Sequence, residues 1–529
     1  SDSVLQNYKK AQEGHWKQYG ELRTKLTELA TNGAYYKEFI TQSDWFHTGE
    51  DLRPFMLAGL SGPNDPLYRA RMKRFAGLYM NEDPEAPNYD PVNKVIKSMW
   101  TGSKGPMLRK ATVYDWVGDP VPGSFHLMHS PAGSSKLLNM EKSYEKMLAH
   151  CTEYLDSVGD NFLNLAATGL ALNAFALTHE PKYKNWVEEY VGAWMERIEQ
   201  CGGNIPSNVG LDGKPGGEHN GQWWKGTYGW NFTIFDGEIE KIAHRNYFTA
   251  GSWPGFGNAL LLTGDQKYVD VLRRQMDNIY AQKKIVDGKV MLPRMYGDPR
   301  GYKYNGPPSW YLYQEEPYSD RLTEIYLWSM DRKDLERIPK EGWVGFLEGK
   351  DPDYPVKALR ADIEHVRRKV EAMRSDVTTA DTRLADYLLS NIVPAATDAL
   401  TNLTTGGYFA GRIWIMHSRF RYFDPVKRRA GLPEDVGALV EKLGADSATL
   451  TLVNTNPVAP RTVIVQAGGY GEHHFDSAAV GAQTTMIDAP VVTIRLEPGA
   501  GSRIEFKMTR YKHRPTLAHP WDRGWFGQN

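Results

Sequence analysis

Residues of the same type recur 85 positions apart in this 529-residue chain, and the recurrence restricts the fold more than overall composition does. The two copies have matching residues in matching order: Asn173-Ala174, Leu177-Thr178, Glu180 and Lys182-Tyr183, then Asn258-Ala259, Leu262-Thr263, Asp265 and Lys267-Tyr268. In each copy an apolar helical pattern ends at a polar corner, and an amphipathic helical pattern follows. Weaker echoes occur at Leu60-Ser61 and Leu327-Trp328-Ser329. The repeat therefore predicts a series of helical hairpins.

Such hairpins can stack as an open solenoid or close into a ring. The connections between them vary in length, with the longest at 81–139, 202–240 and 284–318. Long loops on one rim of a ring can build a binding cleft. We therefore predict a mainly α fold, an (α/α) toroid (a barrel of helical hairpins) over residues 1–440. Beyond it, β-branched runs separated by turn residues predict a small antiparallel β module and an irregular tail over 441–529.

Charge and composition exclude several classes of function. Sixty-three Lys and Arg residues balance 64 Asp and Glu residues, giving a net charge of −1. No global positive field is present to hold a nucleic acid or an anionic membrane. No apolar run approaches the roughly 18 residues of a membrane span. Cys151 and Cys201 are too few for a disulfide framework or a four-cysteine zinc site. The chain begins at Ser1, which fits a mature chain after signal removal, and we expect a secreted or periplasmic protein.

The window 202–318 concentrates aromatic, histidine and arginine residues in connections between helical patterns. These residue types are typical of sugar sites, because aromatic faces stack on pyranose rings and polar side chains bind hydroxyls and carboxylates. The sequence Ala243-His244-Arg245-Asn246-Tyr247 is expected to open the helix of the second repeat copy. The candidate substrate-binding residues are His219, Trp224, Asn246, Tyr247, Trp253 and Arg300, with His417 later in the chain.

Two tyrosines are candidates for a catalytic base. Tyr296 follows Arg294 by two residues and Tyr302 follows Arg300 by two, so each shares a face with an arginine in an extended segment. A phenol has an ordinary pKa near 10 and becomes a usable base where nearby positive charge lowers that pKa. In a uronic-acid polymer such a base can remove the C5 proton and later protonate the glycosidic oxygen leaving C4.

Removal of the C5 proton builds negative charge on the neighbouring carboxylate, which a cation or hydrogen-bond donor must stabilise. Arg294, His244 and Asn246 are candidates for this task. A different reading uses paired carboxylates in a glycoside hydrolase, drawn from Asp236, Glu238, Glu240 and Glu315-Glu316. A non-catalytic carbohydrate-binding protein is the third alternative. The sequence contains no P-loop, H-E-x-x-H or G-x-S-x-G motif, so nucleotide, zincin and α/β-hydrolase interpretations lose their main support.

The order of these residues resembles that of helical-toroid polysaccharide lyases, most closely polysaccharide lyase family 38. His244 precedes Tyr302 by 58 residues and Arg294 precedes it by eight. The resemblance implies metal-free β-elimination on an anionic polysaccharide, glucuronan more than alginate, without a cofactor. It assigns base and acid to Tyr302, with Tyr296 as the competing choice, and carboxylate neutralisation to His244 and Arg294. Ala243 stands where the family often has an asparagine beside the histidine.

Overall fold

A computed structural model describes residues 35–109, 157–236, 241–244, 246–248, 254–377, 396–408 and 417–523. The helices within these ranges are α1 (Trp45–Ser61), α2 (Pro66–Gly77), α3 (Thr168–Thr178), α4 (Pro181–Gln200), α5 (Pro254–Thr263), α6 (Lys267–Tyr280), α7 (Ser319–Ser329), α8 (Arg332–Leu335), α9 (Gly342–Leu347), α10 (Tyr354–Ser375) and α11 (Asp398–Thr405). None of these described helices is both long enough and apolar enough to cross a membrane.

The internal repeat corresponds to two helical hairpins, α3–α4 and α5–α6. The threonine at each corner explains part of the repeat. Thr178 donates its hydroxyl to the Ala174 carbonyl (2.8 Å) and accepts the Glu180 backbone N–H (3.2 Å). Thr263 makes the same two bonds, four residues back and two residues ahead. Each hydroxyl satisfies a backbone donor just beyond the helix end, where no helical carbonyl is in reach.

The hairpins pack side by side into the larger hydrophobic core. Helix α3 is buried from Thr168 to Ala176, because it has α2 on one side and α4 and α5 on others. Helices α4 and α6 bury one face each, as their amphipathic patterns predict. Helix α7 then packs on α6. Chain neighbours are therefore also neighbours in space.

The predicted mainly α toroid is wrong, because β-structure runs through the helical region. Residues predicted as a long loop form an antiparallel sheet of β11 (Lys284–Val286), β12 (Lys289–Gly297) and β13 (Ser309–Glu315). Asp287 and Gly288 join the first two strands with φ values of 49° and 76°. Positive φ at both central residues defines the turn that matches the twist of a tight hairpin.

Several short strands pair in two-stranded ladders, in parts of the chain predicted as loops or not assigned. The pairs are β1 (Tyr35–Tyr36) with β2 (Phe39–Ile40), β3 (Ser43–Asp44) with β6 (Trp100–Thr101), β4 (Tyr89–Asp90) with β5 (Val95–Ile96), β7 (Asp160–Asn161) with β8 (Asn208–Val209), and β9 (Thr233–Asp236) with β10 (Lys241–His244). They hold the connections between helices close to the helical core.

The C-terminal β region is larger than the predicted module and begins before residue 441. Its strands are β14 (Phe420–Asp424), β15 (Arg429–Ala430), β16 (Val436–Leu443), β17 (Ser447–Asn454), β18 (Arg461–Ala467), β19 (His474–Val480), β20 (Gln483–Ala489), β21 (Val491–Leu496) and β22 (Gly501–Thr509). They form a four-stranded sheet in the order β15-β14-β18-β21 and a five-stranded sheet in the order β16-β17-β22-β19-β20. Side chains of both sheets share one hydrophobic core, so the region is a β-sandwich.

The β-sandwich contacts the helical region through α9 and α11. Gly406 ends α11 with a φ of 63°. A Cβ at this position would lie 3.1 Å from Val440 Cγ1 and 3.2 Å from Leu443 Cδ2 on β16. A glycine is needed here both for the left-handed conformation and for the close approach of helix and sheet.

Asp160 is a buried carboxylate that ties the early strands to α4. Its oxygens accept five kinds of donor: the backbone N–H groups of Ile96 and Asn161, the Asn164 amide, the Tyr190 hydroxyl and the Trp194 indole N–H. The side chain is fully buried. One carboxylate therefore connects β5, the segment after β7, and two turns of α4.

Stability should fall as pH rises from about 4 to about 6, because of Asp160. Burial raises the pKa of this carboxyl to about 6 in spite of its hydrogen bonds, while an unfolded aspartate has a pKa of about 3.9. The folded state therefore keeps a proton that the unfolded chain releases, and the stabilisation is complete below pH 4 and is lost through pH 6. Two pKa units correspond to about 3 kcal/mol. The free-energy difference between wild type and Asp160→Asn should change over this range and stay constant above it.

Candidate functional site

His244 is the last residue of β10 and pairs across the hairpin with Thr233 of β9. The expectation that this segment opens a helix is wrong, since α5 begins only at Pro254. The residues at this end of the hairpin face β12 and β13. The candidate site is therefore built on strands and the connections that follow them.

The His244 ring lies edge-on to Tyr311 of β13, with ring centroids 5.5 Å apart. Its Nδ1 is buried and has no hydrogen-bond partner among the described residues. Burial, with a further contribution from the Arg294 guanidinium, lowers the pKa of His244 below its ordinary value. The imidazole is therefore neutral at neutral pH, and it acts as a hydrogen-bonding group, whereas Arg294 supplies the positive charge.

Asn246 holds the segment after β10 against β12. Its Nδ2 donates to the Arg294 carbonyl (2.7 Å), and its Oδ1 accepts the Phe248 backbone N–H (2.6 Å). The side chain is buried. Asn246, predicted to bind substrate, therefore positions the Arg294 backbone. The Arg294 guanidinium is close enough to both His244 and Tyr318 to act on their pKa values.

Tyr302 is fixed beside the same hairpin end. Its backbone N–H donates to the Thr233 hydroxyl (2.8 Å), and Thr233 is the residue that pairs with His244. The Tyr302 ring contacts Phe232 at 5.5 Å and His219 at 6.3 Å between centroids. Its hydroxyl is buried and meets no hydrogen-bond partner in the described part of the chain. A buried unbonded hydroxyl costs about 1–3 kcal/mol, a cost that a functional requirement would explain.

Tyr296 belongs to an aromatic cluster next to this group. Its ring stacks on Trp223 at 5.1 Å with an interplanar angle of 10°, and it meets Trp224 edge-on at 5.5 Å. Trp310, its partner across the strands, lies 4.9 Å away. Burial raises the pKa of Tyr296, so this phenol is a weaker candidate for a base than the sequence indicates. We call Trp223, Trp224, Tyr296 and Trp310 the aromatic cluster.

Arg300 is engaged by Asp298. Its Nε and Nη2 donate to the two carboxylate oxygens at 3.1 and 2.7 Å, and its guanidinium lies over the Tyr304 ring at 4.8 Å. The Arg300 hydrogen bonds hold the pKa of the Asp298 carboxyl well below its usual range. Arg300 therefore shapes the loop before Tyr302, and its exposed outer side is what remains for a ligand.

Tyr247, Trp253 and His417 were also predicted to bind substrate, and each of them has a different outcome. Tyr247 packs on Phe46 and Tyr228, at 4.2 and 4.7 Å between ring centroids, beneath the hairpin. Trp253 lies outside the described residues. His417 lies beside Gly257 of α5, and its ring packs at a tilt on Trp328 of α7 with centroids 4.8 Å apart, where the helical region meets the β-sandwich. The structure therefore does not bring His417 to the candidate site.

Asn231 and Tyr311 were not predicted and belong to the site. The Tyr311 hydroxyl donates to Asn231 Oδ1 (3.2 Å), and Asn231 is fully buried with an Nδ2 that no described residue accepts from. Gly297 has a φ of 140°, and a Cβ there would lie 2.4 Å from Asn231 Oδ1. The Asp287-Gly288 turn signal indicates the β11–β12 hairpin, but the pairing that places Tyr311 opposite Met295 joins β12 to β13 and has no such local signal.

Among the residues that the structure describes, no two carboxylates of the hydrolase alternative are shown to form an acid–base pair. Glu315 forms an ion pair with Lys289 across the strand ends at 2.7 Å, and Asp236 pairs with Lys241 at the far end of its hairpin from His244. Glu238 and Glu240 lie outside the described residues. Within the described ranges, no group of three or more His, Cys, Asp or Glu side chains is placed to hold a metal ion.

The described chain thus combines helical hairpins, a small sheet that carries an aromatic and cationic site, and a C-terminal β-sandwich. It belongs to a family described as a domain of unknown function, DUF8034, which matches residues 4–340 and 328–401. A comparison with curated proteins finds no match. The matched residues include the β9–β10 hairpin and the three-stranded sheet, whereas the β-sandwich follows them.

Proposed function

We propose that this protein is a polysaccharide lyase that cleaves a uronic-acid polymer by β-elimination. One observation carries the proposal. The buried, unbonded hydroxyl of Tyr302 belongs to a residue whose backbone is fixed to Thr233, the strand partner of His244. Arg294 is within electrostatic reach of His244. A phenol, an imidazole and a guanidinium at one hairpin end are the groups that such an elimination needs.

Each group has a defined task in the proposed reaction. Arg294 would bind the substrate carboxylate and stabilise the charge that develops on it, with neutral His244 as a hydrogen-bonding neighbour. Tyr302, as phenolate, would take the C5 proton. The electron pair of that C–H bond then forms the C4–C5 double bond while the C4–O bond breaks. The resulting phenol donates its proton to the departing oxygen, which returns Tyr302 to its starting state.

The aromatic cluster would supply apolar faces for neighbouring sugar rings, since Trp223, Trp224 and Tyr296 are only partly buried. The preference for glucuronan over alginate rests on the resemblance to polysaccharide lyase family 38. The carboxylates offer little support for hydrolysis, because Asp298 is held ionised by Arg300 and Glu315 is paired with Lys289.

A panel of glucuronan, alginate and other uronans, incubated with the full chain, tests the proposal. Elimination creates a double bond conjugated to the carboxylate, so ultraviolet absorbance and new reducing ends should rise together for at least one polymer. New reducing ends without a rise in ultraviolet absorbance would contradict the lyase proposal and indicate a hydrolase. Binding of a uronan with neither signal would leave a carbohydrate-binding protein.

A further inference from the structure

A small, partly open cavity lies where helix α7 meets the β-sandwich. Its lining includes Glu324 and Trp328 of α7, His417 and Arg419 before β14, and Glu472 and His473 before β19. The cavity has a volume of about 10 Å³. A volume of this size holds about one water molecule or one monatomic ion.

Arg419 lines this cavity, and two of its hydrogen-bond donors have no acceptor in the described chain. The residue is 5% exposed, and its Nε and Nη2 have no hydrogen-bond partner among the described residues. Its backbone is fixed, since its N–H donates to the Thr405 carbonyl (3.0 Å) and its carbonyl accepts the Gly468 N–H (2.8 Å). His417 also lines the cavity, and its Nε2 lies close to Gly257 in the first turns of α5. Donors buried without acceptors are costly.

The charged groups around the cavity do not balance among the described residues. Arg321 and Glu324 neutralise each other in a fully buried ion pair at 2.6 Å. Burial lowers the pKa of both His417 and His473, so these imidazoles are neutral. The Tyr511 N–H donates to His473 Nδ1 (3.1 Å), which places the proton of that ring on Nε2.

Among the described lining residues, Glu472 is the carboxylate that remains after Glu324, and several guanidinium groups surround it. Arg419, Arg421 and Arg523 all lie within electrostatic reach of Glu472, and Arg510 lies within reach of Arg419. Arg421 and Arg510 donate to backbone carbonyls, which carry no full charge. The cluster therefore holds more positive than negative charge. Burial lowers the pKa of Arg419 to about 9, as expected of a guanidinium without a counterion.

We propose that this cavity binds one monatomic anion of the size of chloride, held by Arg419 Nε and Nη2 beside His417. The positive surroundings disfavour a cation, and a volume of about 10 Å³ suits a monatomic anion better than a polyatomic one such as sulfate. A water molecule would satisfy donors but would not neutralise the charge. The anion would link α7 to the β-sandwich, so its contribution is to stability, and it does not depend on the proposed lyase activity.

Thermal unfolding of the full chain in sodium chloride and in sodium sulfate at matched ionic strength tests the proposal. A ligand that binds only the folded state multiplies the folding equilibrium constant by 1 + [anion]/Kd, so chloride at about 100 times Kd gives a rise of about 100-fold. Arg419→Gln should abolish the chloride-specific part. Arg495→Gln is the matched control, since Arg495 is 62% exposed on β21 and bonded to Glu497. Because sulfate itself stabilises folded proteins by exclusion from their surface, the decisive quantity is the difference between the two salts. The same difference in wild type and in Arg419→Gln would overturn the proposal.

Wild-type crystals grown in sodium bromide give a test that needs no variant to fold. Bromide scatters anomalously and substitutes for chloride. The proposal requires a bromine peak within hydrogen-bond distance of Arg419 Nε or Nη2. An ordinary water at that position, with no anomalous signal, would contradict it.

Discussion

Replacing Tyr302 with phenylalanine should lower uronan turnover by about 10²–10⁴-fold, the range typical of a lost general acid–base group. The phenylalanine ring keeps the contact with Phe232. Only the hydroxyl is removed, and that hydroxyl is buried with no hydrogen-bond partner among the described residues. Stability should therefore stay equal or rise as activity collapses. The measurements are kcat on the polymer found by the panel and the urea-unfolding midpoint of the same preparation.

Tyr296→Phe is the matched control for this experiment. It removes a phenol only two residues from Arg294 in sequence, but the ring that stacks on Trp223 remains. Near-normal turnover is expected. The opposite result, with Tyr302→Phe active and Tyr296→Phe inactive, would move the base to Tyr296 and leave β-elimination in place. If both variants are active, the tyrosine mechanism is wrong.

The helical hairpins could be predicted from sequence because their determinants are local. Thr178 and Thr263 bond within their own helix ends, four residues back and two ahead. Ser329 of α7 repeats part of this arrangement, accepting the Asp331 N–H at 3.0 Å, which explains the weak echo there. Because these hydrogen bonds join residues at most six positions apart, the pattern can be recognised in the sequence without knowing how the rest of the chain folds.

The strands were harder to predict, for two different reasons. Strand β14, Phe420–Asp424, is buried at every position although it contains Arg421 and Asp424, so its sequence lacks the continuous apolar run that marks a buried strand. Strand β12 contains Pro293, and proline is depleted from strands. The sequence therefore favours a loop in this part of the chain. The Asp287-Gly288 turn was a usable signal that outweighs the proline. Without that turn signal, the sequence would not have indicated strands in this region. The toroid prediction could then not have been corrected from the sequence.

For the candidate site, the sequence identifies suitable residue types but not the partners that these residues have in the fold. The sequence indicated His244, Arg294 and Tyr302 as chemically suitable, and the structure brings them to one region. The sequence could not show that the Asn246 amide donates to the Arg294 carbonyl, 48 residues away, or that Arg300 forms an ion pair with Asp298. These partners depend on strand register, which follows from long-range pairing. His417 illustrates the limit, because its place beside α7 depends on how the β-sandwich docks.

Asp160→Ala should reduce the free energy of unfolding by more than about 4 kcal/mol, since each buried donor left without an acceptor costs about 1–3 kcal/mol. The Tyr190 hydroxyl, the Trp194 indole and the Ile96 backbone N–H all lose their acceptor in one step. Such a loss is a large part of the roughly 5–15 kcal/mol that stabilises a typical domain. Urea denaturation of the full chain measures it.

Asp212→Ala is the control for this prediction. Asp212 is exposed, and its carboxylate accepts the Lys214 backbone N–H at 3.0 Å in a surface turn. Surface substitutions of this kind change stability by about 0.5 kcal/mol. Asp160→Asn should fall between the two, because its amide keeps one acceptor oxygen for the donors on α4 and β5. If Asp160→Ala costs no more than Asp212→Ala, these donors find other acceptors, and the carboxylate does not hold the early strands to α4.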